Sequence, residues 1–146
     1  MRQLQFEPAH MDVIEMRDVE RDFPGKDYLT RIMTVAGPMG WTFVHDGRIL
    51  GMSGLIAQHP GVVNGYIIPS IYAARYMFHF HRAITRQLDA WERGGLYHRV
   101  QTISRDDPQT NRWMEILGFT CEGLLLQFST AKETYRHWAR FNKWAP

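Results

Sequence analysis

Hydrophobic positions follow a helical period near the N-terminus and a strand period after it, and this change predicts the first elements. The segment RQLQF alternates and predicts a short strand, and PAHMDVIEM begins with a proline at a favourable helix start. In KDYLTRIMTVA, apolar residues from Tyr28 to Met33 recur at helical spacing, and Gly37-Pro38 ends that helix. One strand and two helices are therefore predicted before Gly40.

A meander of three strands is predicted next, because the apolar period shortens. The segment WTFVHDGRILGMSGLIA divides at Asp46-Gly47, a dipeptide that is typical of tight hairpin turns. The segment HPGVVNGYIIP follows a second turn and predicts the third strand. Both turns are short, so the three strands are expected to be neighbours in one sheet.

The longest predicted helix runs from about Ser70 to Arg93 and ends at Gly94-Gly95. Apolar residues at helical spacing predict its core face: Met77, Phe80, Ile84, Leu88 and Trp91. Basic residues form a stripe on the opposite face: Arg75, His79, Arg82 and Arg86. The first set is expected to be buried and the second to be exposed.

The last third of the chain predicts three more strands and a short helix. The strands are YHRVQTIS, FTCEGLLLQFST and YRHWARFNKW, and the helix is DDPQTNRWMEIL, capped by Asp106 or Asp107 with Pro108 inside its first turn. The resulting order predicts an α/β (α+β) fold. Its sheet is mixed, mostly antiparallel and six- or seven-stranded, with helices on both faces, in a single domain 1–146.

Composition narrows the class of protein only moderately. The chain has 146 residues and a formal net charge of +2, a balance that by itself implies neither a nucleic-acid nor a membrane partner. Its single cysteine, Cys121, excludes an internal disulfide framework and fits a reducing compartment. The N-terminal segment lacks the apolar centre of a signal peptide, and no apolar run is long enough to span a bilayer. We therefore expect a cytoplasmic protein, or one packaged with other proteins.

Histidines are the main candidates for local chemistry. His59, in a turn, and His98, on the next strand, are candidate general bases because imidazole titrates near neutral pH. Neither has a sequence neighbour that would fix its pKa, and both also fit ordinary turn or strand positions. His79 and His81 point in different directions on a helix and lack a third ligand, so no metal site is predicted. Cys121 has no activating neighbour, and the residues around it predict a buried strand.

The order of elements, together with NRWMEILGFTCEG, resembles the Gcn5-related N-acetyltransferase (GNAT) fold. In that family a segment N-x-x-A-x-x-x-Y-x-x-x-G-F, often followed by Glu-Gly, forms the second-last helix and the next strand. The residues Ile116 to Phe119 and Glu122-Gly123 match the end of that segment. The resemblance covers most of the chain as topology and about the last third as motif. Within the family, the chain looks most similar to degenerate members from short-tailed bacteriophages, of the internal virion protein A type.

The resemblance implies transfer of an acyl group from acyl-CoA to an amine. In the family, a loop Q/R-x-x-G-x-G/A holds the pyrophosphate by its backbone amides, at the start of the long helix. The corresponding turn here is PSIYAARYMF, with Arg75 and Met77 near the glycine positions. Ser70 and Arg75 would then lie near the pyrophosphate. Backbone amides from Tyr66 to Ile68 would polarise the acyl carbonyl.

Three departures from the family pattern predict weak or absent acetyl-CoA binding. Side chains at Arg75 and Met77 would crowd the anion, although the guanidinium of Arg75 could supply charge instead. The family's acidic Tyr corresponds to Met114, which cannot donate a proton. The family's Asn corresponds to Asp107, whose carboxylate would repel phosphates rather than bind the pantetheine arm.

Two functions remain open at this point. The first is a GNAT-type N-acyltransferase-like protein, with the basic stripe as a candidate contact for CoA phosphates. The second is a non-catalytic GNAT-fold protein of a phage virion or host interaction, with Trp138 and Trp144 available for a protein partner. A nucleic-acid partner is less favoured. The alternating C-terminal segment resembles a single-strand platform but equally fits a half-buried strand, and the stripe equally fits a solvated helix face.

Overall fold

The computed structural model describes residues 1–144 and contains five α-helices, seven β-strands and one 3₁₀ turn at Gly37–Met39. The helices are α1 (Pro8–Val13), α2 (Asp18–Asp22), α3 (Lys26–Ala36), α4 (Met77–Arg93) and α5 (Pro108–Ile116). The strands are β1 (Arg2–Gln5), β2 (Gly40–His45), β3 (Arg48–His59), β4 (Val62–Pro69), β5 (Arg99–Arg105), β6 (Thr120–Leu125) and β7 (Tyr135–Phe141). No helix within residues 1–144 is long and apolar enough to cross a membrane.

The strands form one seven-stranded sheet in the order β1-β2-β3-β4-β5-β7-β6. The pairs β1–β2, β2–β3, β5–β7 and β6–β7 are antiparallel, whereas β4 and β5 are parallel. This confirms the predicted mixed, mostly antiparallel sheet of six or seven strands. The helix α2 was not predicted, since its five residues are too few to show an apolar period.

The chain packs as two compact units. One consists of Met1–Ile56 with Gly65–Arg86, and the other of Ala57–Asn64 with the chain from Gln87 onward. The elements β3, β4 and α4 each contribute residues to both units. The expectation of a single domain therefore stays a prediction.

The core of the first unit joins the N-terminal helices to the meander. Its buried cluster includes Phe6, Met11, Met33 and Met52, and Met33 and Met52 are fully buried. Gly51 of β3 marks the closest approach in this unit. A Cβ atom there would lie 2.6 Å from the ring of Phe80 and 2.8 Å from the carbonyl oxygen of Ile68. Only glycine lets the start of α4 approach β3 this closely.

The hairpin between β2 and β3 confirms the Asp46-Gly47 turn. Both residues have positive φ, 55° for Asp46 and 72° for Gly47. Positive φ at both central residues is the requirement of a type I′ turn, and it explains why Asp-Gly is favoured in hairpins of this length.

The long helix α4 begins later than the sequence predicts. Ser70 still pairs as part of an extended chain, residues 71–76 form turns, and the helix starts at Met77. Its C-terminal end at Arg93 is as predicted. Of the predicted core face, Phe80, Ile84 and Leu88 are buried, while Met77 and Trp91 are half-buried. The basic stripe is exposed as predicted: Arg75, His79, Arg82 and Arg86.

A buried ionic cluster organises the second unit at the end of α4. The carboxylate of Glu92, a residue only 1% exposed, accepts hydrogen bonds from Arg140 Nε and Tyr97 Oη, each at 2.8 Å. Burial, reinforced by this bond to Glu92, raises the pKa of Tyr97 above its usual value. The amide of Asn142 donates to the carbonyl oxygens of Glu92 and Tyr97 at 2.8 Å. These hydrogen bonds give partners to the buried polar groups at the C-terminal end of α4.

Two predictions for the second unit were wrong. Trp138 was expected to serve an interface, but it is fully buried in β7 and its indole nitrogen donates to Ser104 Oγ at 2.8 Å. Cys121 was expected in a buried strand, but β6 is the edge of the sheet and Cys121 is half-buried. Trp144 remains 46% exposed, as expected for an interface residue.

Removing the side chain of Leu88 tests the core face of α4. Leu88 is 5% exposed, so Leu88→Ala should lower the free energy of unfolding by roughly 2–5 kcal/mol. The neighbouring Arg86→Ala is the matched control, because Arg86 is exposed on the same helix. Denaturant unfolding that showed equal losses for both variants would contradict the assigned core face.

The ion pair at Asp106 predicts a pH dependence of stability. Hydrogen bonds from Asn111 and from the guanidinium of Arg136 hold the pKa of Asp106 below its usual 3.8. A lowered folded-state pKa stabilises the fold above pH 3.8, and this contribution disappears as the pH falls through the folded-state value. We expect Asp106→Asn to be less stable than wild type at pH 7, with the difference shrinking toward pH 3. The exposed Asp12→Asn is the control, and a difference independent of pH would contradict this account.

Candidate functional site

The turn between β4 and α4 is the candidate site, and it lies within the first unit. Its first residue, Ser70, is fully buried and continues the pairing of β4 by donating from its N–H to Leu50 O at 2.8 Å. Ser70 also forms an antiparallel bridge with Met16, and the next amide, Ile71 N, donates to Glu15 O at 2.9 Å. The turn is thus anchored on the chain that follows α1.

The following amides bond within the turn itself. Tyr72 N donates to Ser70 Oγ and Ala73 N donates to Ser70 O, each at 3.1 Å, and Tyr76 N donates to Tyr72 O at 3.2 Å. The Ser70 hydroxyl therefore caps the turn by accepting from the amide two residues ahead, a bond that serine often forms in turns. The amides of Ser70 to Ala73 and of Tyr76 are therefore committed to protein acceptors. These five amides are not available to a diphosphate while they keep these bonds, which weakens any binding of an anion by the backbone of the turn.

The side chain of Tyr72 adds a second anchor. Its hydrogen bond with the Glu15 carboxylate, together with burial, raises the pKa of Tyr72, and the nearby Arg48 opposes that change. The guanidinium of Arg48 lies over the Tyr72 ring at 4.8 Å from the ring centre. Glu15 thus holds the turn through its carbonyl oxygen, and its carboxylate acts on the Tyr72 hydroxyl.

Arg75 and Met77 occupy the glycine positions without unusual backbone angles. Among residues 1–144, the non-glycine residues with positive φ are Asp46, Gln127 and Lys132, so neither Arg75 nor Met77 is strained. The chain accepts side chains there because the turn no longer needs a glycine conformation. Within the described residues, the amides of Ala74 and Arg75 meet no hydrogen-bond acceptor. The exposed guanidinium of Arg75 lies 5.4 Å from the centre of the Tyr76 ring.

The strand β4 is open along one edge just before this turn. In the described chain, β4 pairs with β5 only through Val62–Asn64, so its remaining residues have no partner on that edge. Successive residues of a strand direct their N–H groups to opposite edges. Regular alternation back from Ser70, whose N–H points to β3, would direct the amides of Tyr66 and Ile68 to β3 and that of Ile67 to the open edge. Pro69, which has no N–H, also falls on the open edge.

This alternation narrows the set of backbone amides expected to contact an acyl carbonyl. The sequence nominated the backbone amides from Tyr66 to Ile68, and regular alternation would make Ile67 the one of these whose N–H faces the open edge. Ile68 is buried, and Tyr66 is half-buried. Burial, with the neighbouring Tyr28, raises the pKa of Tyr66, so its hydroxyl remains a proton donor well above neutral pH.

The candidate bases His59 and His98 lie at the other end of β4. His59 ends β3 and is exposed, with its Nδ1 3.4 Å from Pro60 O. His98 is also exposed; its N–H donates to Gly61 O at 2.8 Å, and its ring lies against Gly61. The structure brings these histidines to the same turn. They flank the start of β4, whereas Ser70 and Arg75 follow its end, and no acidic partner of either ring is seen within residues 1–144.

Asp107 and Met114 have structural roles on α5. Asp107 is the N-cap residue; its carboxylate accepts hydrogen bonds from Thr110 N at 2.9 Å and Thr110 Oγ1 at 2.8 Å. This confirms one of the two predicted caps. Its oxygens are therefore used by the helix start, and the position retains no free amide donor for a pantetheine arm. Met114 is 3% exposed and belongs to the core.

Sequence reasoning missed a cluster of aromatic and charged side chains beside the turn. The ring of His45 stacks on His79 at 4.6 Å between ring centres and meets Tyr76 edge-on at 4.7 Å. Tyr76 Oη donates to Asp46 Oδ2 at 3.4 Å. Only the three-residue spacing of Tyr76 and His79 on one helix face signals this cluster in the sequence. Within the described residues no group of three or more His, Cys, Asp or Glu is placed to hold a metal ion.

Comparison with known proteins identifies the fold. No protein-family model and no curated protein sequence matches the chain. Among solved structures, Ard1 from Thermoplasma volcanium is similar with a TM-score of 0.77 and 11% identity, covering 96% of each chain. The fold is that of the Gcn5-related N-acetyltransferases.

Further similar structures agree with this assignment of the fold. A GNAT-family acetyltransferase from Bacillus anthracis has a TM-score of 0.72 and 12% identity, covering 98% of this chain and 96% of its own. A mutant of spermidine N-acetyltransferase SpeG from Vibrio cholerae has a TM-score of 0.69 and 14% identity, covering 97% and 95%. At such low identity the likeness concerns the GNAT backbone and its order of elements, and the chemistry must be argued from the site.

Proposed function

We propose that the protein is a GNAT-type N-acyltransferase-like protein with an altered cofactor site, taking an acyl group from acyl-CoA to an amine. Its neighbours of known structure are acetyltransferases that it covers almost completely. The observation that carries the proposal is the open edge of β4, which leads directly into the turn before α4. An open strand edge offers N–H and C=O groups to an extended, amide-bearing arm such as that of acyl-CoA.

Named residues support distinct parts of this proposal. The N–H of Ile67 is the donor that an acyl carbonyl would meet on the open edge. Arg75 is an exposed cation in the same turn as the unbonded amides of Ala74 and Arg75, and it is the residue that would pair with phosphate. An acceptor amine must lose a proton, and His59 and His98 stay the predicted bases.

A non-catalytic role on the same fold is the second candidate. It is favoured by the self-bonded turn and by the buried methionine at the position of the family's tyrosine acid. A protein of a phage virion or of host interaction has no need of a pyrophosphate loop, and exposed Trp144 offers a contact for a protein partner. Its expected location is the host cytoplasm or the virion.

Calorimetry with acetyl-CoA decides between these candidates. The amides of Tyr72 and Ala73, within the turn that corresponds to the pyrophosphate loop, are committed to Ser70, so two charge-assisted contacts to phosphate would be lost. At about 1.5–3 kcal/mol each, this should weaken binding on the order of a hundredfold or more. We therefore expect weak binding or none, and little turnover without a partner.

Arg75→Ala is the diagnostic variant, and Arg31→Ala is its matched control. Both arginines are exposed and lie over a tyrosine ring, Arg75 over Tyr76 and Arg31 over Tyr28. Micromolar or tighter binding that Arg75→Ala abolishes and Arg31→Ala preserves would overturn the altered-site account and support an active enzyme. Absence of heat in all three proteins would favour the non-catalytic role.

A further inference from the structure

The two edge strands of the sheet differ in how well they are protected. The edge strand β1 is four residues long and polar, with the sequence RQLQ. The other edge strand, β6, has the sequence TCEGLL and contains neither proline nor lysine, two residues that commonly prevent edge pairing. An edge strand presents unpaired N–H and C=O groups, so β6 is the more exposed template for another strand.

Apolar side chains surround this unpaired edge. No residue of β6 is fully buried, and Leu124 is 55% exposed. In the turn that follows, Leu126 is 72% exposed and Phe128 is 40% exposed. These three large apolar side chains lie within five positions of the sequence and are therefore clustered, unlike the single exposed hydrophobic residues that are common on protein surfaces.

Charge on β6 is already neutralised within the unit. Its one charged residue, Glu122, accepts from Arg99 Nη1 at 2.9 Å, and His137 Nδ1 lies 3.5 Å from the same carboxylate. The register shift in β6 lies between Cys121 and Gly123, and from Gly123 the strand is regular. The straight, uncharged part of the edge is therefore Gly123–Leu125.

We propose that β6 pairs antiparallel with β6 of a second copy of the chain, about a two-fold axis at Leu124. A two-fold axis brings the same surface of both copies together. A charged edge strand would therefore repel its copy, whereas the segment Gly123–Leu125 carries no charge. Antiparallel backbone bonding is self-complementary in the same way. Leu124 then meets its equivalent, and Leu126 and Phe128 flank the pair.

Sedimentation of the full chain over a range of concentrations tests this dimer. Wild type should show a concentration-dependent dimer, and Leu124→Lys should weaken it at least about tenfold by placing like charges opposite each other. Ile116→Lys is the matched control, because Ile116 is 60% exposed on α5 and outside the edge. A wild-type chain that stays monomeric, or a dimer that Leu124→Lys leaves intact, would overturn the proposal.

Cross-linking provides a readout that does not depend on destabilising the strand. Residues directly opposite in an antiparallel pair have Cβ atoms about 4.5–5.5 Å apart, close to the range that a disulfide requires. With Cys121→Ser as background, Leu124→Cys should oxidise to a covalent dimer, while Ile116→Cys should remain monomeric. Equal cross-linking of the two variants, or none for Leu124→Cys, would overturn the proposed axis.

Discussion

The hydrogen bond from Ser70 N to Leu50 O fixes the site on which the functional account depends. It extends the pairing of β4 with β3 past the last residue of the strand, and so delays the start of α4 to Met77. Regular alternation back from this bond would leave the amide of Ile67 facing the open edge of β4. With the bond from Ile71 N to Glu15 O, the Ser70 bond commits the first two amides of the turn, whereas those of Ala74 and Arg75 meet no acceptor within residues 1–144.

The local part of this architecture follows from the sequence. Asp46-Gly47 predicts its hairpin because positive φ at both residues is a local requirement. The cap of α5 is likewise local, since the carboxylate of Asp107 bonds three residues ahead. The buried Phe80, Ile84 and Leu88 follow from helical period alone.

Features that depend on distant partners could not be predicted in this way. The late start of α4 depends on Leu50 and Glu15, which are remote in sequence. Trp138 and Cys121 both lie in strands that the sequence pattern predicts. Trp138 belongs to the interior strand β7, whereas Cys121 belongs to the edge strand β6. The order of strands in the sheet, which decides this difference, is not encoded in the period of either segment.

The candidate site shows how a fold can be kept while its chemistry changes. In the family, glycines let backbone amides converge on a pyrophosphate. Here Ser70 and Glu15 take the place of the anion as acceptors, and ordinary residues at Arg75 and Met77 become compatible with the turn. The same bonds that stabilise the turn oppose cofactor binding, so stability and cofactor affinity compete at one position.

Residue-resolved amide hydrogen exchange, with and without acetyl-CoA, tests this competition most directly. The account predicts that the amides of Ser70 and Ile71 exchange slowly in the free protein and stay unchanged when acetyl-CoA is added, because their acceptors are Leu50 and Glu15. The unbonded amides of Ala74 and Arg75 should exchange rapidly in the free protein. Rapid exchange at Ser70 and Ile71 in the free protein, slowed by acetyl-CoA, would contradict the account.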